Sequence, residues 1–496
     1  MNIYDGKTIR LWDQFTIEDQ GIFSWDLMER AAKRLTEKVL DLFTDIDLNF
    51  YIFVGPGNNG GDGLAMARML RDQFRDVYVI LLQNEGSPDY EQNMALIRSK
   101  SGIQITGLKE FEQKAPKKGI IIDCIFGSGL NRAPEDKYES AIRAINHSNL
   151  TIISIDLPSG MPTDTLPDWA VVQADHTLLI QTVKFSSLFP EGGKYYGKTH
   201  VVNINLSSKF EQKNPSDRVF VELAEARKLF KPRNKFSHKG TFGHAALACG
   251  SDGMMGAAIL SVKGALKSGA GLVTAYIPGC GYEIMQISCP EAMCKSDVND
   301  RHIKNISIDT KYRAVGIGSG LGVNPDTTDW LRKNMGLLKE SRLVLDADAL
   351  NAIAAHKIEI PQYAIITPHP GEFDRLFGSS STGLERFKKQ VEMATKYKIH
   401  IVLKGHFTTY VNPEGKAWFN STGNPGMACG GSGDTLTGLL TGLLAQEYSI
   451  EDAVILGVFL HGLAGDLAAD ELSQYAMSAS DIIQHLSCAW KEVVQK

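Results

Sequence analysis

The sequence predicts an α/β protein made of two successive units, each a mostly parallel sheet with helices on both faces. Three observations predict it. Short runs rich in Ile and Val alternate with amphipathic stretches along almost the whole chain, and strands that read as continuous apolar runs are those covered on both faces by crossover helices. At 496 residues the chain exceeds one core and suits two or three domains of about 150 residues each. The rhythm breaks once, at the polar segment Ser207–Asp217, and a second α/β series then begins. The expected domains are residues 1–215 and 216–496.

Taken in order, Ile17–Leu42 has apolar residues at helical spacing and predicts one or two leading helices. Strands are expected at Phe50–Val54, Val77–Leu82, Ile120–Ile125, Thr151–Ile155, Thr177–Ile180 and His200–Leu206, with helices such as Gly63–Gln73 and Tyr90–Lys100 between them. Ser207–Asp217 is expected to be a linker. Beyond it, His244–Cys249, Leu272–Ile277, Ala314–Ile317, Leu343–Leu345, Ala364–Ile366, Ile401–Leu403 and Thr408–Val411 are strand candidates, and Leu439–Leu444 belongs to a buried helix.

Composition narrows the function classes. With 43% apolar and 22% charged residues and a net charge of −5, the chain is not a dedicated nucleic-acid binder. Its seven cysteines (124, 249, 280, 289, 294, 429 and 488) form no C-x-x-C pair, as expected of a reducing cytoplasm rather than a disulfide framework. Met1–Arg10 has no signal pattern, and no run approaches the ~18 apolar residues of a membrane span. A soluble cytoplasmic homo-oligomer acting on small molecules, with neither nucleic acid nor membrane as partner, is expected.

The most informative stretch is Asn424–Gly438, where four glycines precede Asp434 and a fifth follows it. Gly-rich backbone aims several N–H groups at one point and a helix start adds a positive dipole end, so the pair makes an anion hole. A carboxylate there would repel the anion if it were ornamental. It makes better sense as a base that takes a hydroxyl proton while the hole stabilises a phosphate, the alternative being a Gly-rich turn capped by Asp.

A second Gly-rich loop, Gly55–Gly63, follows the first strand and precedes a helix. It has the phosphate-binding context of strand, glycine loop and helix, but it is not G-x-G-x-x-G and lacks a P-loop lysine. A tight structural turn is the competing reading. Asp123 and Asp156 each end a strand, and ligands in parallel α/β sheets bind at those ends, so both should converge on this loop. One carboxylate with Asn and Ser oxygens suits a monovalent cation, which leaves the other free to move a proton.

In the segments GPGNNGGDGLAMAR, DCIFGSGL and IDLPSG the first half resembles the Rossmann-like epimerase domain of the NAD(P)H-hydrate repair proteins. The resemblance implies that Asn58, Asn59, Gly60, Gly61 and Asp62 bind the hydrated dinucleotide. It implies further substrate contacts at Gly127, Ser128, Gly129, Leu130, Asn131, Arg132, Ala133, Tyr138 and Asp156, with Asp156 as the acid/base at the C6 hydroxyl. Potassium ligands fall on Asn59, Asp123 and Ser159. The family's usual Met-Glu-Asn-Ala-Gly helix is here Met28-Glu29-Arg30-Ala31-Ala32.

The second half carries, in order, KGTFGH, GSDGMMGAA, GSGLG, DADALN, TPHPGE, KGHFT and NPGMACGGSGDTLTG. Each alone is weak: His369 by itself reads as a turn residue, and Lys404 as a solvated strand end unless a phosphate needs its point charge. Together they resemble the ribokinase-like fold in its NAD(P)H-hydrate dehydratase branch. The resemblance implies that Lys404, Gly405, His406, Phe407, Thr408 and Gly433 hold the adenine nucleotide, while Gly253, Gly320, His369 and Asp434 contact the hydrated cofactor. Its cofactors would be K+ in the first half and Mg2+ with ADP in the second, ADP because the tandem resembles bacterial enzymes. The expected function is repair of NADHX and NADPHX, the hydrated cofactors, by epimerisation of R and S forms and ADP-dependent dehydration of the S form to NAD(P)H, AMP and phosphate. A small-molecule kinase of the same fold, or a non-catalytic first half, are the rival readings.

Overall fold

The computed structural model describes every residue except Asn131, Lys339 and Lys496. The chain divides into two compact units, Asn2–Ser216, and Asp217–Lys496 together with Met1.

The first unit is a three-layer αβα sandwich. Its strands are β1 (Phe50–Val54), β2 (Val77–Leu81), β3 (Ile103–Gly107), β4 (Ile120–Cys124), β5 (Thr151–Ile155), β6 (His176–Ile180) and β7 (Lys198–Val202). They pair in parallel in the order β3-β2-β1-β4-β5-β6-β7. Alternate residues of β1 serve opposite layers. Ile52 and Val54 join the core with Trp12, Leu35, Leu64 and Met94, whereas Tyr51 and Phe53 join Phe111, Ile142 and Ile145. Strand order reverses between β1 and β4, which opens a crevice at their carboxyl ends.

Three local differences from the sequence expectation matter. Strand β3, half exposed and interrupted by Gln104 and Thr106, has no apolar run to announce it. The helix expected from Gly63 begins at Asn58, so the Gly-rich segment is itself the first turn. It can be, because a Cβ on Gly60 would lie 1.9 Å from the Gly55 carbonyl oxygen, and only glycine lets the turn fold back that closely. The expected linker contains a short helix, Ser208–Lys213, whose buried Phe210 stacks on Trp12 at 5.8 Å.

The second unit has a ten-stranded mixed sheet. Its strands are β8 (Arg218–Val221), β9 (His244–Ala248), β10 (Leu272–Ile277), β11 (Met293–Ser296), β12 (Ala314–Ile317), β13 (Arg342–Leu345), β14 (Ile365–Ile366), β15 (His400–Leu403), β16 (Thr409–Val411) and β17 (Ala417–Asn420). The order is β11-β10-β9-β12-β13-β14-β15-β16-β17-β8, with β16 antiparallel to both neighbours and the other pairs parallel. Strands β8, β11 and β17 lie outside the expected set; β11 is mostly exposed and β8 only half buried, so no continuous apolar run marks either. One face packs on the helices Met255–Lys267, Ser432–Ala445, Ile450–Leu472 and Ala479–Val494. From the other, Phe387 of helix Gly383–Tyr397 meets Phe419 at 5.3 Å.

Contrary to the expectation drawn from apolar runs, Ile450–Leu472 is long and apolar enough to cross a membrane by length and composition. Most of it is buried in the core of this unit, which accounts for its apolar character without a bilayer. Helices 255–267 and 432–445 approach almost backbone to backbone. A Cβ on Gly438 would lie 1.8 Å from the Ser261 carbonyl oxygen, and one on Gly264 2.4 Å from that of Thr435. This contact sets the position of the helix start that carries Asp434.

Candidate functional site

In the first unit a cavity of ≈ 440 Å³ opens at the carboxyl ends of β1, β4 and β5. It gathers Asn58, Asn59, Asp62, Gly127, Ser128, Gly129, Leu130, Arg132 and Asp156 from the expected set. Gly60 and Gly61 do not line it; they pack against Gly55 and Met28 and so hold the helix start in place. Ala133 and Tyr138 are also outside the lining. Tyr138 rests its ring on Phe126 at 5.0 Å and donates its hydroxyl to Gln83 Oε1 at 2.7 Å. Asn131 lies outside the described residues.

Asp156 sits just beyond β5 in a left-handed backbone conformation, φ 68°, a region non-glycine residues seldom occupy. Its Oδ1 pairs with the fully buried Lys184 Nζ at 2.7 Å, and its Oδ2 accepts the Ser128 N–H at 3.2 Å. Lys184 follows β6 and was not anticipated. The strand-end argument used for Asp123 and Asp156 applies to it equally and would have found it. Asp13, from helix Gly6–Gln20, also lines the cavity, and no glycine, spacing or strand end in the sequence points to it. Burial, with Asp156 nearby, raises the Asp13 pKa to about 7. Asp62 is pushed well above the ordinary carboxylate range, chiefly by burial and then by Asp156 and Asp13.

Asp123 is fully buried, and burial raises its pKa although four groups donate to it: Ser159 Oγ at 2.5 Å, Ser159 N–H and Ser154 Oγ at 2.8 Å, and Ile125 N–H at 3.3 Å. Beside it, Asn59 gives its Nδ2 to the Ile155 carbonyl at 3.2 Å, and its Oδ1 is buried without a hydrogen bond. A buried carboxylate with no lysine or arginine paired to it and an unsatisfied amide oxygen are what a monovalent cation would satisfy. Asn59, Asp123 and Ser159 therefore fit K+.

In the second unit a cleft of ≈ 620 Å³ is lined by His369, Lys404, Gly405, His406, Thr408 and Gly433 from the expected set. Residues that the sequence did not single out complete it, among them Asn420, Thr422, Leu436 and Val458. His461 also lines it, held neutral because burial lowers its pKa to about 4; it stands out in the sequence only as the one histidine of an apolar helix. Phe407 is not in the lining. Its ring turns edge-on to Phe220 at 5.9 Å, because the chain reverses there between β15 and β16.

Lys404 leaves β15 and places Nζ 2.8 Å from Asp346 Oδ1 and 3.9 Å from Glu372 Oε2. Burial works against its charge, yet the carboxylates of Asp346 and Glu372 outweigh that and hold its pKa above the usual value. Thr437 Oγ1 donates to Asp346 Oδ2 at 2.8 Å and ties this pair to the helix 432–445. Any side chain on Gly433 would start 3.2 Å from Lys404 Nζ, so glycine there is what lets the ammonium overlie the helix start.

Asp434 occupies the first turn of that helix, immediately past the last cleft residue of the Gly-rich loop. Its pKa is raised to about 6, first by burial and next by Asp346 and Asp348, against the pull of the Ser319 hydroxyl and Lys404. Ser319 adjoins Gly320, and a Cβ on Gly320 would meet the Met254 carbonyl at 2.7 Å. Gly320 thus packs on the loop that carries Gly253, and Asp434, Gly320 and Gly253 lie outside the lining of the cleft. His369 caps the helix Pro370–Phe377: Nδ1 accepts from the Gly371 and Glu372 N–H groups at 3.0 and 3.4 Å, while Nε2 lies 3.6 Å from Glu372 Oε1 and the residue lines the cleft. Among the described residues no cluster of three or more His, Cys, Asp or Glu side chains could hold a metal ion.

Two α/β units, one of ribokinase-like sheet order with a carboxylate at a glycine-rich helix start, define a two-site enzyme of phosphoryl and proton transfer. Comparison with known proteins supplies the family. The family model described as NAD(P)H-hydrate dehydratase matches residues 245–487, and that described as YjeF-related protein N-terminus matches residues 24–186. A bifunctional NAD(P)H-hydrate repair enzyme from Thermofilum pendens is 32% identical over 512 residues, covering 98% of this chain and 95% of its own. A ribokinase-like superfamily protein from Enterococcus faecalis superposes with TM-score 0.50 at 26% identity, over 56% of this chain and 98% of its own. An ADP/ATP-dependent NAD(P)H-hydrate dehydratase from Bacillus subtilis, crystallised with ATP and Mg2+, is 33% identical over 55% of this chain and 98% of its own, at TM-score 0.49. The chain belongs to the bifunctional NAD(P)H-hydrate repair enzyme family, with an epimerase and a dehydratase domain.

Proposed function

We propose that residues 1–215 interconvert the R and S hydrates of NADH and NADPH, and that residues 216–496 dehydrate the S form with ADP as phosphoryl donor. The observation that carries this is Asp434, a half-buried carboxylate with its pKa raised to about 6 at a helix start between the cleft and the Gly320 loop. It is ionised at neutral pH yet basic enough to accept a hydroxyl proton. The substrate oxygen freed of that proton attacks the terminal phosphorus, the phosphoanhydride bond breaks and AMP departs. The C6–O bond of the phosphorylated alcohol then breaks as phosphate leaves, and loss of a C5 proton restores the ring double bond. Lys404 offsets phosphate charge, and N–H groups of the first helical turn, which lack intrahelical acceptors, face the same region. Neighbouring Asp346 and Glu372 are already engaged with Lys404, so Mg2+ would come held by phosphate oxygens rather than by a protein cage, and would neutralise charge on the transferred group.

In the first unit Asp156, held by Lys184, handles the proton of the C6 hydroxyl, and K+ at Asn59, Asp123 and Ser159 would balance the buried charge beside it. All seven cysteines are free, which supports action in the reducing cytoplasm. The test is incubation of the full chain with mixed R and S hydrates and ADP or ATP, following reduced-nicotinamide absorbance. Complete recovery is expected, faster with ADP. Accumulation of a phosphorylated alcohol would instead make the second unit a kinase, and recovery that halts at the S fraction would remove the epimerase.

A further inference from the structure

Inverting the C6 centre requires the hydroxyl to leave from one face of the ring and water to return on the other, so proton-handling groups are needed on two sides of the bound ring. Asp156 and Lys184 supply one. Across the sequence from them, helix Gly6–Gln20 brings Asp13 into the same cavity, and among the described residues the structure gives its carboxyl no hydrogen bond and no ion pair. Of the other carboxyls of this unit's site, Asp156 is held by Lys184 and Ser128 and Asp123 by Ser154 and Ser159, while Asp62, fully buried on the Gly-rich turn, shares with Asp13 the lack of a hydrogen bond or ion pair among the described residues. We propose that Asp13 is the second catalytic acid/base of the epimerase site, acting on the ring face opposite Asp156. This rests on the epimerase reading given above.

The two carboxyls are set apart by their surroundings. Asp156 is paired with the Lys184 ammonium at 2.7 Å, whereas Asp13, half-buried in the cavity wall and without such a partner, has its pKa raised to about 7, chiefly by desolvation and then by Asp156, and is the acid. Two neighbouring carboxyls in such different surroundings are suited to serve as an acid and a base. The step balances. The neutral Asp13 gives its proton to the C6 hydroxyl, the C6–O bond breaks to release water, and the ring nitrogen lone pair forms an N1=C6 iminium. Water then bonds to C6 from the Asp156 side and loses a proton to Asp156. The reverse order, with Asp156 protonated and Asp13 ionised, converts the other epimer, so no oxidant or further reactant is required. The charged groups that face Asp13 are Asp156 and Lys184 from the strand ends and Asp62 from helix Asn58–Asp72, with Arg10 and Arg132 lining the same cavity.

The test uses the full-length chain with Asp13→Asn and Asp13→Glu, and Glu18→Gln on the same helix as control. Epimerisation is measured from pure R hydrate without ADP, with the enzyme-free rate subtracted, and hydrate binding and thermal melting are followed in parallel. Asp13→Asn should lower kcat by on the order of 10²–10⁴-fold with KM and melting little changed. The limb of the wild-type pH profile near pH 7 should vanish in it, and Asp13→Glu should restore part of the rate. Equal kcat and an unchanged pH profile in Asp13→Asn would overturn the inference. So would a loss matched by weakened binding or an unfolded first unit that Asp13→Glu also fails to mend. If wild type itself does not epimerise, the epimerase reading falls first, and the two failures are told apart.

Discussion

Asp434 meets two opposing demands within a single side chain. The helix start favours its negative charge, yet burial and the nearby Asp346 and Asp348 raise its pKa to about 6. Since the base must be ionised, dehydration is lost as pH falls through the folded pKa. The dehydratase kcat should drop about tenfold per pH unit below about pH 6 and level off above it, as a stopped assay across pH 4.5–8 (a range of about that span) would read. Asp123 makes the complementary case, a fully buried carboxyl that the proposed K+ would meet. Adding K+ to protein held in a choline salt should stabilise the first unit by about 2.7 kcal/mol at a hundredfold excess over the dissociation constant, read as a rise in its melting temperature. Asp123→Asn should abolish that response, because the neutral amide gives the cation no charge to meet.

At the scale of elements, both sites depend on glycines that let a helix start approach other backbone. On the first, Gly60 lets the turn Asn58–Asp62 fold against Gly55; on the second, Gly438 lets the helix bearing Asp434 lie against Ser261. Gly438→Ala would place a Cβ 1.8 Å from the Ser261 carbonyl oxygen. The helices would have to separate, at a cost of about 1–3 kcal/mol. Thermal melting should show the loss in the second unit, accompanied by slower dehydration as Asp434 shifts, with epimerisation unchanged. The same glycines explain why the helix begins earlier than its sequence pattern suggests. A run of Gly, Asn and Asp has turn chemistry locally, and only close packing turns it into the first turn of a helix.

For the whole molecule, each unit has its own sheet and its own core, and each site draws residues from one unit alone. Asp434→Asn should therefore abolish dehydration and leave epimerisation at the wild-type rate. A variant that lost both activities together would refute independent sites; chromatographic separation of R and S hydrates makes the measurement. The long apolar helix Ile450–Leu472 belongs to this scale as well. It has the composition of a membrane span, but its apolar surface is taken up by neighbouring helices and β17 of its own unit.

The two-unit α/β architecture, most central strands, the strand-end residues Asp123, Asp156 and Lys404, and the glycine-rich helix start that carries Asp434 were legible in the amino-acid sequence, because buried parallel strands and glycine-dependent turns leave local compositional marks. Short or half-exposed strands such as β3 and β11 leave none. Nor could sequence show that Phe407 turns away to Phe220, that Tyr138 binds Gln83, or that Lys184 neutralises Asp156. The arrival of Asp13 and His461 at their cavities was likewise decided by tertiary structure alone. Those side chains come from helices whose local pattern is only amphipathic or apolar, and what they face is set by how the helix docks on the sheet, a relation between residues far apart in the chain.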